Sequence, residues 1–211
     1  MDNTIWTFGD SLTERFNRKD PDWSKYIDFK GYQPKVHGNF ISEEMGYNLR
    51  NLGLGGADNY TIFQLFCDNI DKIKNNDIIL FGWSDCSRFR MVDRENKWKT
   101  MLPNFDENHK NLEYVTKNTI EQVLVNRSNS KYVGEVSSWI KMINKVMSNN
   151  VVVHWTTFNE NLNSYYFSLT ETISMETNNK IIDSHLSENG QKDLSEFLMK
   201  IIRDKLDKKL I

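Results

Sequence analysis

Cysteine is scarce in this chain: Cys67 and Cys86 are the two it has among 211 residues. Two thiols do not make the disulfide framework of a small secreted domain. Cys67 lies in the apolar stretch Ile62-Phe63-Gln64-Leu65-Phe66 and reads as a small core residue, whereas Cys86 follows Gly82-Trp83-Ser84-Asp85. Neither Cys nor His recurs at metal-ligand spacing, and the set His154, Asp183, His185 matches no metal motif. Long hydrophobic runs are missing as well. Nothing approaches the roughly 18 apolar residues that span a bilayer, and Met1-Asp2-Asn3 leads straight into a strand-like run with no signal peptide. Charge of one sign is also lacking. The 27 Lys and Arg nearly balance 29 Asp and Glu, for a formal charge of -2, so no basic excess attracts nucleic acid or an anionic membrane. The one basic cluster, Lys205, Lys208 and Lys209, suits a solvated helix end favoured by the helix dipole. There is no internal repeat and no low-complexity linker. The cytoplasm is therefore the default location; a virus particle, or export by a route the chain does not display, stays open.

What is there fits one domain, 1–211, with a single sizeable core. Hydrophobic residues make up 38% and charged ones 27%, ordinary values for a globular protein. Five stretches read as strands: Ile5–Phe8, Tyr47–Leu52, Asp77–Phe81, Val151–Trp155 and Lys180–Ile182. Continuous apolar runs are what parallel strands covered on both faces look like. Helical spacing joins Ile62, Leu65, Phe66, Ile70 and Ile73. It also joins Val136, Trp139, Ile140, Ile143, Val146 and Met147, and then Leu194, Phe197, Leu198, Ile201, Ile202 and Leu206, with Ser187 as N-cap. Alternating β and α units predict a parallel sheet with helices on both faces, whose ligands collect at the C-terminal strand ends. One region breaks the alternation. From about 91 to 127 the chain is polar and aromatic, and reads as an insertion with short helices: a substrate cap, a partner surface or a plain surface excursion.

The chemistry concentrates at those strand ends. Ile5-Trp6-Thr7-Phe8 runs into Gly9-Asp10-Ser11-Leu12-Thr13, so a hydroxyl sits where a strand meets a turn, with a capped helix expected from about Leu12. A serine nucleophile needs a histidine to take its proton and an acid to orient that histidine. Asp183-Ser184-His185 offers both. An N-terminal Gly-Asp-Ser-Leu paired with a C-terminal Asp and His resembles the SGNH, or GDSL, hydrolase family.

The resemblance implies a three-layer α/β/α sandwich with about five parallel strands, of flavodoxin-like type. It also implies metal- and cofactor-free ester hydrolysis through an acyl-serine. Under it, Ser11 is the nucleophile, His185 the general base and Asp183 the residue that orients it. The stretch Asn51 to Gly56 is similar to the family's Asn-x-x-x-x-Gly, which assigns an oxyanion-hole N–H to Gly56 beside that of Ser11. The third family block, Gly-x-Asn-Asp, is matched by Gly82-Trp83-Ser84-Asp85, so Ser84 stands where the family has an Asn amide donor. Loss of one such donor costs roughly 10²–10³ in rate: either Ser84 reaches through a water or a shifted loop, or a nearby donor such as Arg88 substitutes, or the hole is simply poorer. The fourth block, Asp-x-x-His in the family, is one residue shorter here. Asp10, Trp83 and Arg88 are candidate substrate contacts, Trp83 either as a platform for a sugar or acyl group or as a core indole. His37, His109 and His154 read as structural. The implied substrate is a small ester or an acylated glycan, with O-acetyl groups first. Two rivals remain: a non-catalytic module of the same fold that binds a glycan or a partner, and a structural or assembly component of a virus particle.

Overall fold

The computed structural model describes residues 3–86, 88–92, 98–101, 129–158 and 162–209. Strand β1 (Thr4–Gly9) lies inside a five-stranded sheet of order β2-β1-β3-β6-β7. Its partners are β2 (Asn48–Gly53), β3 (Ile78–Trp83), β6 (Val151–Thr156) and β7 (Tyr165–Tyr166). Every pairing in this sheet is parallel. All six residues of β3 and of β6 are buried, as expected of strands covered on both faces.

The covering helices are α1 (Pro21–Lys30), α2 (His37–Met45), α3 (Asn59–Cys67), α4 (Asn129–Val146), the short α5 (Ile173–Glu176) and α6 (Glu188–Lys209). Side chains alternate across each strand, and this splits the core. Trp6, Phe8 and Phe81 meet Ile62 and Phe66 of α3 and Val136, Ile140 and Ile143 of α4 on one face. Ile5, Leu80 and Val153 meet Ile41 of α2 and Leu194, Leu198 and Ile202 of α6 on the other. The molecule is thus a three-layer α/β/α sandwich on a parallel five-stranded sheet in the flavodoxin-like strand order. A third, smaller cluster of Phe16, Trp23, Tyr26, Ile27, Val36, Ile173 and Ile181 packs α1 against α5. No helix among the described residues is long and apolar enough to cross a membrane.

Several local expectations are corrected. The fifth strand is Tyr165–Tyr166, not Lys180–Ile182. The backbone around Ile181 and Asp183 is bonded instead to the α5 turn: Ile181 N–H donates to Thr177 Oγ1 at 3.2 Å, and Ser174 N–H donates to the Asp183 carbonyl at 3.0 Å. No helix starts at Leu12, where a single turn leads on to Pro21. The apolar spacing from Ile62 to Ile73 breaks in two, because α3 ends at Cys67 and a 3₁₀ turn covers Ile70–Lys72. In the inserted region the described part is an antiparallel pair, β4 (Phe89–Val92) with β5 (Trp98–Met101); the short helices expected for the rest fall outside the described residues. These four-residue runs carry the aromatic and β-branched residues that favour strands. Residues 93–97 and 102–128 of that insertion lie outside the described residues.

Candidate active site

Three adjacent strands carry glycines side by side at or next to their C-terminal ends, Gly9 opposite both Gly53 and Gly82. A Cβ on Gly9 would lie 2.1 Å from Thr13 Oγ1, and one on Gly53 would lie 2.4 Å from the Glu14 N. The missing side chains let the turn 10–14 fold down onto the sheet edge. Asp10 organises that turn: its carbonyl accepts from Thr13 N and Glu14 N, both at 3.0 Å, and its Oδ1 accepts from Leu12 N at 3.0 Å. Asn51 Nδ2 donates to the Thr13 carbonyl at 2.8 Å while its Oδ1 accepts from Gly53 N at 2.9 Å. Ser11 sits in this turn, half-buried.

The glycine loop lies alongside. Leu54 N–H donates to the Gly9 carbonyl at 2.9 Å and Ala57 N–H to the Leu54 carbonyl at 3.0 Å. Between them Gly56 takes φ of +72°, a conformation that favours glycine. Asp58 then caps α3 by accepting from Thr61 N at 2.8 Å. Glu14 reaches into the loop and accepts from Gly55 N–H; burial raises its pKa above the ordinary carboxylate value although that hydrogen bond opposes the rise.

Behind the turn lies a buried carboxylate. Asp10 is 3% exposed, and its Oδ2 accepts from Ser84 Oγ at 2.8 Å and from Arg88 Nη1 at 3.3 Å. The same Arg88 nitrogen donates to the Ala57 carbonyl at 3.2 Å, beside Gly56. Ser84 is fully enclosed, and its hydroxyl proton is spent on Asp10. Asn59 fixes the Ser84 backbone from both sides, accepting from its N–H at 2.7 Å and donating to its carbonyl at 2.9 Å. Trp83 is 2% exposed within the core, and its Nε1 donates to His154 Nδ1 at 3.1 Å. An indole so enclosed offers no face to a sugar ring, which corrects that expectation in favour of the core role.

The shortened Asp-x-His block makes a tight pair. Asp183 Oδ1 lies 2.6 Å from His185 Nδ1 and also accepts from the His185 backbone N–H at 2.8 Å. A two-residue step lets one oxygen serve ring and backbone together. Burial pulls the His185 pKa down, but the hydrogen bond and charge of Asp183, reinforced by Asp10 and Asp20, outweigh it and hold the pKa above its ordinary value. Burial likewise raises Asp183, and the bonds from His185 more than offset it, so its pKa is lowered. Trp23 packs edge-to-face against the His185 ring with centroids 5.4 Å apart. Asp10 and Glu14, on either side of the Ser11–Thr13 stretch, both act electrostatically on His185. No hydrogen bond joins Ser11 to His185 among the described residues.

Of the other histidines, His37 is fully buried and His154 is 4% exposed. Burial lowers their pKa values to about 4 and about 3. His109 lies outside the described residues. Sequence reasoning overlooked Glu14, Asn59 and Trp23: the first two directly follow the Gly9–Thr13 and Asn51–Asp58 blocks, whereas only folding brings Trp23 against His185.

Comparison with protein-family models and with curated proteins finds no match. Solved structures do match in fold. One is an acetyl xylan esterase from the rumen bacterium Butyrivibrio proteoclasticus, 11% identical with a TM-score of 0.53, covering 97% of this chain and 64% of that one. Another is a carbohydrate esterase whose active site is described as displaying divergent catalytic and non-catalytic binding functions. It is 13% identical with a TM-score of 0.51, and the match covers 95% of this chain and 68% of that one. At such identities the likeness is one of fold.

Proposed function

We propose that this chain is a serine ester hydrolase of the SGNH type acting on small acyl esters, with O-acetylated glycans the first substrates to test. The observation that carries the reading is the Asp183–His185 contact of 2.6 Å, with Asp10 and Glu14 of the Ser11 turn close enough to act electrostatically on the His185 ring. In the proposed reaction Ser11 Oγ attacks the ester carbonyl while His185 Nε2 takes its proton. Asp183 holds the ring by Nδ1 and stabilises the imidazolium that forms. The carbonyl oxygen becomes an oxyanion facing the Ser11 and Gly56 backbone N–H groups. The intermediate collapses, His185 returns the proton to the leaving alcohol, and water repeats the sequence on the acyl-serine.

With the Ser84 hydroxyl bound to Asp10, Ser84 acts through Asp10 and not on the oxyanion. Arg88 is the donor that replaces the family's Asn amide. Its guanidinium borders the glycine loop at Ala57, and its Nε is buried without a partner among the described residues. The test is labelling by a fluorophosphonate probe. Ser11 in the wild-type chain should be phosphonylated, and Ser11→Ala and His185→Ala should abolish labelling and acetyl-ester hydrolysis alike. One observation favours a second reading, a binding module that has lost catalysis: the Asn amide is absent and Ser84 points at Asp10. A folded wild-type chain that resists the probe and still binds an acetylated glycan would establish that reading instead.

A further inference from the structure

The turn that carries Ser11 is held from beneath by a buried amide for which ester hydrolysis has no direct use. Gln191, 2% exposed in the first turn of α6, donates from Nε2 to the Leu12 carbonyl at 2.9 Å. Its Oε1 accepts from the His37 backbone N–H at 3.0 Å and lies 2.9 Å from His37 Nδ1. These partners define the amide orientation. The Leu12 carbonyl only accepts and the His37 N–H only donates, so Nε2 must face the former and Oε1 the latter. The same logic settles the His37 tautomer: Oε1 has no hydrogen to give, so Nδ1 carries the proton. Burial lowers the His37 pKa to about 4, and the ring stays neutral. Trp155 packs edge-to-face against it with centroids 5.4 Å apart.

The consequence lies in what is joined. Leu12 follows the nucleophile directly. Gln191 sits in the helix that begins at Glu188, just after His185, and Ser187 holds that helix start by accepting from Gly190 N–H at 3.2 Å. One side chain therefore ties the Ser11 turn to the segment that presents the base.

We propose that Gln191, oriented by His37, is a positioning residue that sets the Ser11 turn relative to His185. Its catalytic consequence rests on the ester-hydrolase reading; its effect on the turn does not.

The discriminating variant is Gln191→Glu. It is nearly isosteric and keeps an acceptor for both His37 donors, but it replaces the donor to Leu12 with a carboxylate oxygen. We expect labelling of Ser11 and kcat on p-nitrophenyl acetate to fall about 10-fold or more, with KM within about two-fold of wild type. Amide hydrogen exchange at Thr13 and Glu14 should quicken while that of β3 is unchanged. His37→Phe removes the ring donor and should give the same pattern more weakly, whereas His37→Asn, whose amide still donates, should recover most of the loss. Wild-type labelling and wild-type exchange in folded Gln191→Glu would overturn the proposal. If Gln191→Glu does not fold, the His37→Phe and His37→Asn pair decides it on the same readouts. If the wild-type chain itself neither labels nor hydrolyses, the hydrolase reading fails, and the exchange comparison alone supports or overturns the positioning role.

Discussion

Asp183 and His185 define a pH signature. Because burial is outweighed by the Asp183 contact, the His185 pKa lies above its ordinary 6.5. A general base works only when neutral, so kcat/KM should rise with pH through an apparent pKa above 6.5. Asp183→Asn should shift that limb downward, a displacement that a pH–rate profile on one acetyl ester measures. The same pair has a stability sign. His185, with its folded pKa raised, stabilises fully below its unfolded pKa, and the contribution is lost as pH rises through the folded value. Asp183, with its folded pKa lowered from 3.8, stabilises above that value and loses its contribution as pH falls through the folded one. Arg88 carries a second expectation. Arg88→Met should lower kcat about 10²-fold with little change in KM, if the guanidinium faces the oxyanion. It also strips a partner from buried Asp10, so a stability loss accompanies it. Adding Asp10→Asn should restore melting temperature and leave kcat low, which separates the two roles.

At the scale of elements, the segment bearing Asp183 and His185 is neither helix nor strand, and α1 braces it. Lys30 Nζ lies 2.9 Å from Glu176 and 3.2 Å from Glu188, and all three side chains are at most 14% exposed. Tyr26 donates its hydroxyl proton to Glu176 and accepts from Glu188 N–H at 2.8 Å, and Tyr32 donates to Glu188 at 2.5 Å. The network pins the end of α5 and the start of α6, the two ends of the loop between them. Burial disfavours charge on both Lys30 and Glu188, yet their contacts win: Lys30 is raised and Glu188 lowered. Its stabilisation should therefore hold from above the ordinary Glu pKa of 4.5 to the ordinary Lys value of 10.5, weakening as pH falls or rises beyond that window. Lys30→Met leaves two buried carboxylates facing each other and should cost about 3–5 kcal/mol in urea unfolding at neutral pH. Elements of this kind are invisible to periodicity. Lys30 and Glu188 lie far apart in the chain, and nothing in either neighbourhood announces the other. Helix α1 has signals of its own that went unread: Asp20 caps it, accepting from Asp22 N at 2.9 Å and Trp23 N at 3.0 Å, and Pro21 opens it.

For the whole molecule, stability rests on two apolar layers that sandwich one sheet, and α6 closes the second. Leu198 is fully buried there. Leu198→Ala should cost about 2–5 kcal/mol through lost burial and a residual cavity. The surviving folded fraction should still label Ser11 at the wild-type rate, because the cavity opens toward α2 and β6 and not toward the turn. A slowed rate per folded molecule would mean that the layers and the sheet edge are coupled.

The local sequence determined the four main strands, the α4 and α6 helices and the run of glycines and polar residues at the strand ends. Those features follow from burial on both faces of a parallel sheet and from helical spacing, which short windows record. Only the tertiary structure decided the fifth strand, because Lys180–Ile182 and Tyr165–Tyr166 both suit an edge and the α5 turn claims the backbone of the former. It also decided the direction of Trp83 and the partner of Ser84. An indole at that position packs inward or outward with equal local ease, and a serine hydroxyl takes whichever acceptor the fold brings within 2.8 Å, here the buried Asp10. Long-range polar contacts carry no periodicity, so their geometry exists only once the layers have closed.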